Sequence, residues 1–287
     1  MEKIRIITDS ASDIANNTRE DLTILPLSIF FGETEYLDGI NLSQREFYEK
    51  LIESDELPKT SLVSPFAFTE ALEKAEKAGE TTIVITISSK LSGTHQSAVI
   101  AAKDYPNSVF VIDSETVCIG EQILVKLALQ LKDQGLSARE IVDTLEQEKK
   151  RIRILALLDT LEYLRKGGRI SNVAGFVGNM LSIKPLVTIK EGAVAVLGKA
   201  RGSKNGHNML SEQVHLSGGI DFSHPFMLGY SGLTDDLLQK YIQNHAALLE
   251  NQTENLPISM IGSTIGTHIG PGAIVISYFS TEPSPCE

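Results

Sequence analysis

The chain has 287 residues, 42% of them hydrophobic and 22% charged, enough for one large domain or two ordinary ones around a substantial core. A net charge of −11 excludes the basic surface that nucleic-acid binding needs, so no nucleic-acid partner is expected. Two cysteines, Cys118 and Cys286, make neither a disulfide framework nor a thiolate metal site, and no apolar run approaches the ~18 residues of a membrane span.

Glu2, Lys3 and Arg5 carry charge straight into the strand-like run Ile4–Thr8, unlike a signal peptide, and the expected location is cytoplasmic. Leu25–Phe31 reads as a second short strand. Ser43 with Glu46 is a capping box, and Phe47 and Leu51 follow it at helical spacing. Ser64 before Pro65 is an N-cap with proline in the first turn. Thr81–Ile87 and Val109–Ile112 are β-branched and apolar on both faces, as in a parallel sheet covered by helices on two sides. The stripe Ile123, Leu124, Leu127, Ala128 and Leu131 predicts a buried helix, and Ser137 with Glu140 opens the next one. This βαβα order predicts a doubly wound, mostly parallel α/β sheet.

The pattern changes near residue 152. Thr160 caps a short helix that runs into Lys166-Gly167-Gly168-Arg169, and Lys184–Leu197 reads as a hairpin turning at Glu191-Gly192. Strands at Phe226–Gly229 and Ala273–Ile276 flank a helix begun by Thr234-Asp235-Asp236. The expected organisation is an N-terminal α/β domain over 1–152 and a C-terminal α+β domain over 153–287.

Three segments carry candidate chemistry. Ser88–His95 follows a buried strand and opens a helix, at the carboxyl edge of the sheet where ligands of open α/β proteins bind. Gly93 permits close backbone approach, Ser92 and Thr94 supply hydroxyls, and the helix end favours an anion; equally, Ser92 is a plain N-cap. Thr60-Ser61 with Ser64 is a hydroxyl cluster or simply a turn and cap. Gly266–Gly272 sets His268 among glycines that allow tight turns, with no partner at metal-ligand spacing. Asp9 and Asp13 offer two carboxylates after the first strand, read as a metal or phosphoryl site or as ordinary turn residues.

Enzyme motifs mostly fail. There is no G-x-x-x-x-G-K-[ST] phosphate loop, no G-x-G-x-x-G after the first strand, and Gly229-Tyr230-Ser231-Gly232 lacks the last glycine of a nucleophile elbow.

Together these segments resemble the DegV family. The shared elements run in family order: Thr8-Asp9-Ser10, Lys59-Thr60-Ser61, Ser89–Thr94, Asp113-Ser114, Asp159–Ile170, Lys184-Pro185 and Gly266–Gly272. The resemblance implies a fatty acid held in a buried tunnel between the two domains, with no metal and no cofactor. It implies a carboxylate met by Thr60 or Ser61, by Ser92 with Gly93 and Thr94 in its loop, and by His268. It also implies the role of acyl-binding, non-catalytic subunit of a bacterial fatty acid kinase, whose separate kinase subunit forms an acyl-phosphate for phospholipid synthesis. Arg169 and Arg201 fall where relatives place basic residues near the site or the kinase surface. The family's usual Thr-Ser-Gln-Pro-Ser loop reads Thr60-Ser61-Leu62-Val63-Ser64 here, keeping the hydroxyls and losing Gln and Pro. Two other readings remain: an acyl hydrolase using Ser92 and His268, and a lipid-sensing interaction protein without a kinase partner.

Overall fold

The computed structural model describes residues 2–15, 19–170 and 182–281. Strand β1 (Ile4–Asp9) lies parallel to β2 (Leu22–Leu25). The expected single strand over Leu25–Phe31 is two strands in different sheets. Pro26 cannot donate a ladder hydrogen bond, and the chain leaves β2 there and re-enters as β3 (Ser28–Phe31). β3 pairs antiparallel with β4 (Thr34–Leu37). Helix α1 (Gln44–Glu53) follows, closed by the Ser43–Glu46 capping box. Then β5 (Lys59–Ser61) joins the other edge of β3, a strand the sequence pattern did not announce.

Helix α2 (Pro65–Lys77) starts at the Ser64 cap, and β6 (Thr81–Thr86), α3 (Thr94–Ala102) and β7 (Val109–Asp113) follow. Helices α4 (Ile119–Asp133) and α5 (Ala138–Glu148), the latter opened by the Ser137–Glu140 box, complete a doubly wound layer. Its sheet is wholly parallel, in the order β2-β1-β6-β7.

β8 (Ile152–Leu157) begins a second sheet. After it come α6 (Glu162–Lys166), the hairpin β9 (Ile183–Lys190) and β10 (Ala193–Arg201), α7 (Ser203–Leu216) and β11 (Met227–Tyr230). Next are α8 (Asp236–Asn244), β12 (Ile258–Met260), α9 (Ser263–Ile269) and β13 (Ile274–Phe279). The sheet order is β10-β9-β8-β13-β11-β12. Glu191 and Gly192 turn the hairpin with φ of 52° and 77°, the positive values a two-residue I′ turn demands.

Both faces of this sheet are apolar. Leu155 and Leu157 pack with Leu210 of α7 and Leu238 of α8, while Ile154 and Ala156 face the core shared with Ile123 and Leu127 of α4. α4 is therefore buried between the two sheets, touching β1 on one side and β8 and β13 on the other.

Behind this core lies a buried carboxyl network. Asp9 accepts from the amides of Ala11 (3.0 Å) and Ile87 (2.9 Å), so it serves the local turn and the β6 exit. Asp13 accepts from the Gly262 amide at 2.8 Å and from the Cys118 thiol at 3.0 Å. Asp38 accepts from the Ser263 and Thr264 amides, the Thr264 hydroxyl at 2.6 Å and the Ser10 hydroxyl. Burial outweighs these bonds and pushes Asp13 up to about 8 and Asp9 up to about 7. A raised carboxyl pKa means the folded form binds the proton more readily than the unfolded chain. Stability is then lost as pH rises from the unfolded carboxyl value of about 4 up to the folded value, by about 1.4 kcal/mol per pH unit per group, and levels off above it. The urea midpoint is expected to fall between about pH 6.5 and about pH 8 and to level off above that, and Asp13→Asn is expected to flatten the fall. His268, whose pKa is lowered to about 4, titrates below this interval. A midpoint that stays level or rises would contradict a protonated Asp13.

Candidate functional site

At the carboxyl ends of the parallel strands, facing the β8–β9 side of the second sheet, lies a cavity of about 810 Å³, part of it open to solvent. Its floor is the core-facing side of β8, β9, β10 and β13, and Ile87, Val117 and Leu27 form the facing wall from the parallel layer. Thr264, Ile265, His268 and Ile269 of α9 form the side, because positions one turn apart share a helix face.

Five of the expected site residues line this cavity together: Thr60, Ser61, Ser92, Arg169 and His268. Thr60 and His268 are 208 positions apart in the chain, yet Thr60 Oγ1 and His268 Nε2 are 3.0 Å apart. β5 delivers the first by pairing with β3, and α9 delivers the second. Among the described residues His268 Nδ1 has no hydrogen-bond partner, and it lies against Gly167, where a β-carbon would collide with the ring. Burial, helped by the Arg169 charge, lowers the His268 pKa to about 4, so the imidazole is neutral near pH 7. Placing its single proton on Nε2, toward Thr60, leaves an unpaired acceptor at Nδ1 rather than an unpaired donor. Arg169 donates Nε–H to the Leu91 carbonyl at 3.3 Å and Nη1–H to the Gly167 carbonyl at 2.7 Å. It thereby ties the loop after α6 to the Ser92 loop.

Gly93, Thr94 and Arg201 do not line the cavity. The close approach that Gly93 permits is made by Leu62, whose Cδ2 would lie 2.8 Å from a β-carbon there. Thr94 is buried one layer back, with its Oγ1 2.9 Å from Ser92 Oγ and accepting from the Val63 amide at 3.3 Å. Ser92 Oγ also accepts from the Thr94 amide at 3.3 Å, but the N-cap of α3 is Gly93 and no side chain caps the helix, so Ser92 lines the cavity without being its N-cap. Arg201 ends β10 on the exposed surface.

The other polar groups on the lining have committed their protons to the wall. Thr188 donates to the Ile154 carbonyl at 2.7 Å, Thr264 to Asp38, and Cys118 to Asp13. The cavity is thus apolar with one polar end, at Thr60, Ser61, Ser92, Arg169 and His268. Among the described residues no group of three or more His, Cys, Asp or Glu is placed to hold a metal, and no helix is long and apolar enough to cross a membrane. Cys286 lies outside the described residues.

Fold and cavity together define an α/β protein that encloses an apolar space at the carboxyl edge of a doubly wound sheet, against a mixed second sheet. The chain belongs to the DegV family, whose model, described as "Uncharacterised protein, DegV family", matches residues 3–281. A DegV domain-containing protein of Caldanaerobacter subterraneus is 35% identical over 278 residues, covering 95% of this chain and 97% of the relative. Among solved structures, a fatty-acid-binding DegV family protein of Thermus thermophilus matches with a TM-score of 0.85 at 28% identity, covering 96% of this chain and 99% of that one. A fatty-acid-binding DegV family protein of Streptococcus agalactiae matches with a TM-score of 0.85 at 28% identity, covering 98% of this chain and 100% of that one.

Proposed function

We propose that the protein holds one long-chain fatty acid in this cavity and presents its carboxylate to a separate ATP-dependent kinase subunit. Acyl-phosphate for phospholipid synthesis is the product, and the carrier works in the cytoplasm without catalysing the transfer. The observation that carries this reading is the one-ended polarity of the cavity, and the fatty-acid binding of the two structural neighbours supports it. In this reading residues 1–152 and 153–287 are two lobes that close on the acyl chain.

The energetics agree. A tail burying ~14 methylenes gains on the order of 11 kcal/mol, against which association costs roughly 4–15 kcal/mol. An unpaired carboxylate would undo that gain, so hydroxyls and a neutral imidazole must meet it. Thr60, Ser61, Ser92 and His268 supply them, with Arg169 nearby for charge.

The hydrolase reading needs Ser92 hydrogen-bonded to His268, and each bonds elsewhere: Ser92 to Thr94, His268 to Thr60. Nor, among the described residues, does a carboxylate orient Nδ1. Time-dependent cleavage of a chromogenic acyl ester, abolished by Ser92→Ala, would revive it.

Reconstitution tests the carrier role. With a fatty acid kinase subunit, ATP and the loaded protein, acyl-phosphate is expected; bound lipid without acyl-phosphate would favour a lipid sensor instead. In the same assay Arg201→Ala is expected to lower acyl-phosphate formation several-fold and leave lipid binding within about twofold, because Arg201 lies on the surface away from the cavity. Equal loss of both would remove its docking role.

A further inference from the structure

We infer that Asp38 is the positioning residue that holds His268 at the polar end of the cavity, an inference that rests on the fatty-acid reading above. His268 rides on α9, a helix of seven residues. A helix so short is marginal by itself and depends on what meets its first-turn amides. Its N-cap is Gly262, which has no side chain to offer, and a β-carbon there would lie 2.8 Å from Asp13 Oδ1 and 3.8 Å from Asp38 Oδ1. The cap comes instead from a residue 226 positions before Thr264. The buried Asp38 carboxyl accepts from the Ser263 amide at 3.3 Å, the Thr264 amide at 3.1 Å and the Thr264 hydroxyl at 2.6 Å. Ser10, which ends the Thr8-Asp9-Ser10 motif, donates to the same Asp38 Oδ2 at 3.1 Å.

The amide bonds fix the height of α9. The hydroxyl bond fixes its rotation, because Thr264 and His268 lie one turn apart on the cavity face. Asp38 and Thr60 also share a frame. Ser28 of β3 pairs with Leu37 of β4 on one side and with Ser61 of β5 on the other, so Asp38 and the Thr60-Ser61 pair stand at the same end of the small sheet. That sheet grips α9 twice, at the first turn through Asp38 and at the last through the 3.0 Å contact of Thr60 with His268. The imidazole N–H is a directional donor that weakens steeply off line, whereas the apolar contacts of Ile265 and Ile269 with an acyl tail are not directional. A small shift of α9 therefore costs the head group and spares the tail.

The test is a double-mutant cycle with His268→Ala, read by titrating a fluorescent fatty acid into delipidated protein, with folding checked by circular dichroism. Asp38→Asn keeps the shape of the side chain but turns one acceptor oxygen into a donor that faces the donors of α9. It is expected to weaken binding about three- to tenfold in the otherwise wild-type chain, and less than about twofold in the His268→Ala background. Thr264→Val, which removes only the rotational bond, is the milder variant should Asp38→Asn not fold; it follows the same pattern with a smaller loss. A loss of equal size in both backgrounds would show that Asp38 supports the fold without acting through His268. Wild-type affinity in folded Asp38→Asn would show that His268 is held without it. Either result overturns the positioning role alone. A wild-type protein that takes up neither the probe nor palmitate overturns the fatty-acid reading, and the positioning role with it.

Discussion

Replacing His268 by alanine is expected to weaken fatty-acid binding by roughly ten- to a hundredfold, the equivalent of a hydrogen bond to a charged group at ~1.5–3 kcal/mol. The melting temperature should stay close to that of the wild type, because the ring faces a cavity and its hydrogen-bond partner Thr60 stays accessible to ligand or water. The neutral imidazole has one N–H to give, and in the free protein Thr60 Oγ1 takes it. A carboxylate oxygen at the polar end is a stronger acceptor than a hydroxyl and gains that donor on binding. Gly167→Ala should produce a loss in the same direction without altering the imidazole, since a β-carbon there collides with Nδ1 and must displace the ring. Titration of a fluorescent fatty acid into both variants checks this. Wild-type affinity in His268→Ala would mean that the head group lies elsewhere.

Gly270→Ala is expected to destabilise the fold by about 3 kcal/mol or more. Gly270 ends α9 with φ 69° and ψ −177°, a region that only glycine occupies freely. A β-carbon there would overlap the Tyr163 ring, and the Gly270 carbonyl already accepts from Ser231 Oγ at 2.7 Å. Neither neighbour can step aside: Tyr163 packs in the cluster with Phe47 and Tyr48, and Ser231 also accepts from the Ala273 amide at 2.8 Å. At ~2–4 °C per kcal/mol for a chain of this size class, the melting temperature should fall by at least about 5 °C. Fatty-acid binding should fall with it, because α9 carries His268. A melting point unchanged within a degree would show that α9 ends more loosely than its geometry implies.

Local signals in the sequence locate much of the frame. The capping boxes at Ser43 and Ser137 start helices where the pattern places them, and Glu191-Gly192 turns the predicted hairpin. The parallel strands are legible because covered strands are apolar on both faces. That same property hides the cavity. Ile154 and Ala156 face it while Leu155 and Leu157 face the opposite core, and with apolar residues on both sides no alternation marks which pair meets a ligand. Composition likewise failed to show the change of sheet at Pro26. β5 is three residues long, and only its pairing with β3 makes it a strand.

The polar end was legible in part. His268 stands out among glycines, and Ser92 stands out after a buried strand. Their convergence with Thr60 is a product of tertiary structure that spacing cannot encode, and only likeness to a family brought the three together beforehand. Gly93 shows the limit of residue-type reasoning: a glycine that permits close approach does not say what approaches, and here it is Leu62.

The central claim is that the cavity is an acyl site, and mass spectrometry of the purified protein, native and then after organic extraction, tests it most directly. The account predicts one long-chain fatty acid per chain, released on denaturation and identified in the extract. A protein that is empty as purified, and that remains at its apo mass after incubation with palmitate, stearate and oleate, would contradict it.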